Sequence, residues 1–202
     1  MLDEFLLYLR LGFHHIADLA GYDHILFVAA LTIPFAVRDW KRLAVLVTAF
    51  TVGHSVTLAL ATVRLVQVPS ALVEALIPAT IVATAALSWR AGTPGHEHEP
   101  VTVGRYLMAS AFGLVHGLGF STYLRSLLGD EESLVLPLLA FNVGLEVGQL
   151  LILAVVVGLG ALLAPRVLSR RVWVLVLVGV TGGLALLLFG QRVAAIGFGS
   201  PG

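Results

Sequence analysis

Long apolar runs alternate with short polar breaks along nearly the whole chain. A bilayer core about 30 Å thick takes roughly 20 apolar residues per helix, because in hydrocarbon every backbone N–H and C=O must be bonded within its own segment. Six stretches have this length, near 20–37, 42–63, 70–89, 104–127, 134–163 and 172–190. Ahead of them residues 2–19 alternate apolar and polar positions at helical spacing, which predicts an interfacial or partial helix. The breaks are Arg38 to Arg42, Gln67 to Ser70, a cytoplasmic loop over 91–103, Gly129 to Ser133 and Pro165 to Arg171. The pattern therefore predicts an all-α polytopic bundle, one membrane domain over 1–202, with six spans and one helix before them.

Composition makes lipid the required solvent. Of 202 residues 58% are hydrophobic and 12% charged, too few charges to cover a soluble domain. The net charge is zero, which excludes a nucleic-acid partner, since phosphate binding needs a basic surface. With no cysteine, any metal is held by His, Asp or Glu. Asp3 and Glu4 open the chain in place of a basic start, so no cleavable leader is expected. Arg38, Lys41, Arg42, Arg90, Arg105, Arg166, Arg170 and Arg171 fall on one side of six spans, and Arg10, Arg64, Arg125 and Arg192 on the other. Positive residues gather inside, so both termini are expected outside. Trp40, Trp89 and Trp173 lie at span ends as interface anchors.

An ionisable side chain in hydrocarbon costs a few kcal/mol or more, so each one kept there faces a partner, a cavity or a ligand. The set is His15, Asp18, Asp23, His24, His54, Glu74, His116 and Glu146, with Ser55, Thr57, Asn142 and Gln149 beside them. At 1.5 Å per residue, His54 lies about 18 Å into its span, and His116 and Glu146 lie at comparable depth. Asp23 and His24 are adjacent and point about 100° apart on a helix, so His24 is expected to ligate, with Asp23 as an entry carboxylate or an acceptor behind it. Asn142, Glu146 and Gln149 share one face at i, i+4 and i+7. The expected metal set is His24, His54, His116, Glu146 and Asp23. His15, Asp18, Glu74, Ser55, Thr57, Asn142 and Gln149 are expected around it or along a path. Nitrogen and oxygen donors without sulfur suit nickel, cobalt, zinc or ferrous iron better than calcium or cuprous copper.

Plainer readings stand beside these. A lone membrane His commonly bonds a hydroxyl or carbonyl, Glu74 can pair with Arg64, and His96-Glu97-His98-Glu99 is as well read as a solvated loop as a metal-capturing one. Gly144-x-x-x-Gly148 reads first as close helix packing. Asp130, Glu131 and Glu132 can gather cations at an outer mouth. Phe50-x-x-x-His54 echoes Phe112-x-x-x-His116, each followed in the next span by Glu74 or Glu146, which allows a parallel repeat of spans two and three with four and five.

Four ordered segments carry a family resemblance: Gly21-Tyr22-Asp23-His24-Ile25-Leu26-Phe27, Phe50-Thr51-Val52-Gly53-His54-Ser55-Val56-Thr57-Leu58, Phe112-Gly113-Leu114-Val115-His116-Gly117-Leu118-Gly119-Phe120 and Phe141-Asn142-Val143-Gly144-Leu145-Glu146-Val147-Gly148-Gln149. Through them nearly the whole chain resembles the HupE/UreJ membrane proteins, some of which are associated with nickel supply to hydrogenase and urease. The resemblance implies a helical bundle in a prokaryotic-type inner membrane, with His24, His54, His116 and Glu146 as metal or substrate contacts. In the better-known nickel-permease branch a His precedes the Asp-His pair at a shorter fixed spacing. Here seven residues separate His15 from Asp23, and on a continuous helix the two extra positions turn His15 by about 200°, which argues against it as a ligand.

The leading expectation is a divalent transition-metal permease whose partners are the bilayer and the ion, with self-association left open. An intramembrane zinc hydrolase using Glu146 or Asp23 as base would draw on the same residues. A metal-binding accessory or sensor protein would bind without flux.

Overall fold

The computed structural model describes residues 1–19, 21–91, 102–128, 133–163, 167 and 169–198. The His96–Glu99 tract and the acidic cluster Asp130, Glu131 and Glu132 lie outside the described residues. Within them the chain forms seven α-helices and no strand: α1 (Leu2–Ala17), α2 (Asp23–Thr32), α3 (Trp40–Thr62), α4 (Ser70–Ala91), α5 (Val103–Leu128), α6 (Val135–Leu163) and α7 (Arg170–Phe198). A 3₁₀ turn, Val37–Asp39, leads into α3. Helices α3 to α7 are long and apolar enough to cross a membrane.

The first expected span behaves differently. Over the described residues 21–37 the chain is α-helical only in the ten residues of α2, a rise of about 15 Å. At its far end Pro34, which has no N–H, and extended Ala36 stop the helix, and Ala36 N donates to the Asp39 carboxylate at 3.1 Å. Upstream, α1 ends where Asp18 takes an extended conformation. The helix α1 lies along α6 with Tyr8, Gly12 and Ile16 buried.

Register fixes how the helices run. Gly12 faces Phe141, and Ile16 meets Gly148, so α1 and α6 run in the same sense. The helix α2 continues in that sense: Val28 shares an apolar cluster with Leu153, and Thr32 and Phe35 line a cavity with Val157 and Gly160. Likewise Gly113 faces Phe50 and Gly117 faces His54, so α3 and α5 are parallel. Ser55 bonds Asn142 while Thr51 bonds Glu146, which makes α3 and α6 antiparallel. Glu74 pairs with Arg192 and Gly182 meets Ala85, so α4 and α7 are antiparallel too.

Two of these crossings are the same crossing twice. A Cβ on Gly12 would collide with the carbonyl of Phe141, and one on Gly144 with that of Leu9, in each case three residues before the opposing glycine. Gly53 and Gly113 repeat the relation with the carbonyls of Ser110 and Phe50. Only glycine permits such backbone contact, and the tight approach brings carbonyls and Cα–H groups of facing helices together without intervening side chains. The sequence carries the same echo: Phe50-x-Val52-Gly53 matches Phe141-x-Val143-Gly144, and Gly12-x-x-His15 matches Gly113-x-x-His116. Between the two crossings Phe27, Phe50 and Phe141 are fully buried and wall the centre of the bundle.

Candidate metal centre

Four imidazoles enter this aromatic-walled centre. His15 comes from the last turn of α1, His24 from the first turn of α2, His54 from the middle of α3 and His116 from the middle of α5. The ring centroids of His15 and His24 are 4.6 Å apart, those of His24 and His116 5.0 Å, and those of His15 and His54 6.0 Å. His15, His24 and His54 each turn one ring nitrogen into a common space, all three within 4.8 Å of one another. A first-row metal held at about 2.1 Å by three imidazoles separates the nitrogens by about 3.4 Å, so small side-chain rotations close the trio on an ion. Phe120 covers His15 at 3.9 Å between centroids, and Phe27 and Phe50 each lie 5.1 Å from His116.

Hydrogen bonding fixes which lone pairs face inward. Asp23 Oδ1 lies 3.1 Å from His24 Nδ1 and also accepts from the His24 backbone N–H at 2.9 Å. A carboxylate only accepts, so Nδ1 carries the proton and the buried, unpartnered Nε2 presents its lone pair. On the other side Thr80 gives its hydroxyl hydrogen to the Ile77 carbonyl at 2.7 Å, so toward His116 Nε2, at 2.9 Å, it can only accept. His116 Nδ1 is then the bare nitrogen, again buried and unpartnered. Both ring nitrogens of His54 and Nε2 of His15 are buried without partners as well. Buried polar groups are normally satisfied, and His15, His24 and His54 instead offer ring nitrogens within 4.8 Å of one another that could hold a metal ion.

Glu146 is not part of this group. Its Oε1 accepts from Thr48 Oγ1 at 2.6 Å and its Oε2 is bonded to Thr51 Oγ1, which also lies 2.8 Å from Gln149 Oε1. Ser55 Oγ donates to Asn142 Oδ1 at 2.6 Å. The expected polar stripe on span five therefore exists and faces the hydroxyl edge of α3, and its Asn142 also reaches toward His54, which belongs to the imidazole group. Thr57 donates to the Leu114 carbonyl at 2.7 Å and ties α3 to α5. Glu74 pairs with Arg192, at 2.8 Å, and not with Arg64. Arg64 ends α3 in the left-handed region with φ 63°.

The family model described as HupE / UreJ protein matches residues 1–192. The chain belongs to the HupE/UreJ family. It is accordingly an integral-membrane protein of a metal-transport family, and no curated protein and no solved structure matches it.

Three of the four HupE/UreJ motifs deliver an imidazole to the centre, and the fourth delivers the α6 stripe beside it. The largest difference from the sequence expectation is His15. A 200° rotation follows only if residues 15–24 form one helix, and the break between Ala17 and Asp23 removes that premise. The Gly12-x-x-His15 echo of Gly113-x-x-His116 is the signal that could have found it. Thr80 was outside the expected set because a hydroxyl in a span is common and its partner lies 36 residues away. His14, His15 and Asp18 also line a cavity of about 670 Å³ with Leu11, Phe120 and Tyr123, so an open space reaches the first imidazole of the HupE/UreJ centre.

Proposed function

We propose that this HupE/UreJ protein is a permease for a divalent transition metal of the nickel or cobalt type, with His15, His24 and His54 as the central ligands and His116 as the fourth. The observation that carries the reading is the convergence of unpartnered imidazole nitrogens at the centre of a membrane bundle. Neutral imidazoles suit borderline divalent ions, and their lack of charge favours a binding step that remains reversible. Asp23 acts behind His24 as the acceptor that orients it, and His14 and Asp18 form the approach from the cavity.

In this reading α1 and α2 make one discontinuous crossing, so the chain crosses six times with both termini outside a prokaryotic inner membrane. The first crossing then pairs with α6 as the fourth, α5, pairs with α3. Crossings one to three and four to six become two repeats of opposite sense, related across the imidazole centre. Inverted repeats with a broken helix and a midplane site are a recurrent transporter plan. Three imidazoles also form a ligand set known for catalytic zinc, but family membership favours transport over hydrolysis.

The test is uptake of nickel ion into proteoliposomes. His24→Ala, His54→Ala and His116→Ala are expected to reduce it to the rate of empty vesicles. Wild-type uptake in these variants would refute the assigned centre. Tightly retained zinc and hydrolysis of an added lipid or peptide would refute transport.

A further inference from the structure

The end of the bundle where α3 and α7 begin gathers basic residues. Arg42, Arg90, Arg105 and Arg171 lie at the helix ends there, with Arg38 and Arg170 beside them. Between the 3₁₀ turn, the last turns of α6 and the first turn of α7 is a cavity of about 340 Å³, within the roughly 300–1,000 Å³ range of small-ligand sites. Arg38 and Arg170 are its charged lining, and no Asp or Glu is among the described residues around it. The facing wall is apolar, with Phe35 from the chain after α2 and Val156, Val157 and Gly160 from α6. Trp173 closes it, lying so near α6 that a Cβ on Gly160 would come 2.9 Å from its Nε1.

Arg170 is held in place. Its Nη2 donates to the Pro34 carbonyl at 3.2 Å, and its Nε is buried with no hydrogen-bond partner among the described residues. A guanidinium carries five N–H donors in a planar fork that matches two oxygens of a phosphate. Arg38, on the 3₁₀ turn, is exposed and brings a second positive charge to the same opening. Two cations with no carboxylate in the lining call for an anion. The apolar wall and an indole at a helix end suit acyl carbons at the headgroup boundary. A free inorganic anion would use the guanidinium groups and leave that wall against water. On the same helix Leu151, Val155 and Leu159 are exposed, a face that lipid chains cover in any case.

We infer that this cavity binds the headgroup of an anionic phospholipid, with its phosphate on Arg170 and Arg38 and its acyl chains along α6 beside Trp173. The site needs only that the bundle be embedded in lipid, and it stands apart from the permease reading. Thr32, the last residue of α2, also lines the cavity, and the guanidinium that takes the phosphate is the one that holds the Pro34 carbonyl. Bound lipid therefore braces the end of the α2 arm against α6 and α7.

Trp173 provides the readout. With Trp40→Phe and Trp89→Phe, both at exposed positions, it is the sole tryptophan. In phosphatidylcholine vesicles, phosphatidylglycerol brominated on its acyl chains should quench Trp173 at lower mole fraction than brominated phosphatidylcholine does. At about fivefold per arginine near a membrane surface, the two guanidinium groups give the anionic lipid a preference of about ten- to thirtyfold. Arg38→Gln, at an exposed position, should lower that preference about fivefold, and adding Arg170→Gln should abolish it. Arg171→Gln, exposed and outside the cavity lining, should leave it nearly unchanged. Millimolar inorganic phosphate should not displace the brominated lipid. Should the double variant fail to fold, the response of Arg38→Gln decides. Equal quenching by the two lipids, a preference unchanged in Arg38→Gln, an equal loss in Arg171→Gln, or displacement by inorganic phosphate would each overturn the inference.

Discussion

Thr80 lies 2.9 Å from His116 Nε2 with its own hydrogen committed to Ile77, so one hydroxyl on α4 leaves Nδ1 as the bare nitrogen of the α5 imidazole. Removing it frees the ring to tautomerise and rotate. Thr80→Val keeps the shape and loses the acceptor, and comparable outer-shell losses weaken metal sites by about 10–100-fold. Competition against a chelating dye should register that loss in nickel affinity, with Thr80→Ser restoring most of it. Equal affinity in Thr80→Val and wild type would mean the hydroxyl only fills space.

The backbone contact between α3 and α5 leads to a stability prediction. A Cβ on Gly113 would strike the Phe50 carbonyl and come 2.9 Å from His54 N, and both are main-chain atoms that cannot swing aside. Gly113→Ala should lower the thermal midpoint in detergent, with a cost of about 1–3 kcal/mol typical of overpacking. Gly179→Ala meets nothing within 4 Å and should raise it slightly through helix propensity, by up to about 1 kcal/mol. A destabilised Gly179→Ala with an intact Gly113→Ala would contradict the packing.

Metal should act as a ligand of the folded state. Nickel at about 100 times its dissociation constant adds about 2.7 kcal/mol to the wild type, visible as a rise in unfolding midpoint that a chelator reverses. His54→Ala should lose the rise while keeping the midpoint measured without metal near that of wild type. A full nickel-dependent rise in that variant would place the ion elsewhere.

Asp18 lies on the cavity that leads to His15, and its charge is placed to raise the local concentration of cations. Asp18→Asn should increase the half-saturating nickel concentration several-fold at low ionic strength while leaving the maximal rate near wild type. The difference should shrink as salt is added. A drop in maximal rate with unchanged half-saturation would assign Asp18 to a later step.

Hydropathy alone made five of the crossings legible, since a helix in lipid must be long and apolar whatever it packs against. It misread the first, because mean hydropathy over 20–37 does not distinguish one continuous helix from a ten-residue helix followed by Pro34 and an extended Ala36. His24, His54 and His116 were legible because each is costly in a membrane, and Asp23 because its neighbour His24 lay next to it. Their partners were less so. Thr80 is an inexpensive residue whose importance comes from long-range register, and Glu146 shares a depth with His54 and His116 but bonds the hydroxyls of Thr48 and Thr51 instead. Depth follows from counting residues, whereas direction depends on how α3 and α6 rotate about their own axes, which the glycine crossings determine.

The interruption between Ala17 and Asp23 has a mechanical consequence. One imidazole sits on each side of it, His15 at the end of the arm held by α6 and His24 at the start of the arm held among α4, α6 and α7. Any flexing at this joint changes the span between two donor atoms before it changes anything else. If an ion binds there as proposed, grip on it and the angle of the joint become a single variable. A loosened grip and an opened doorway need no messenger between them.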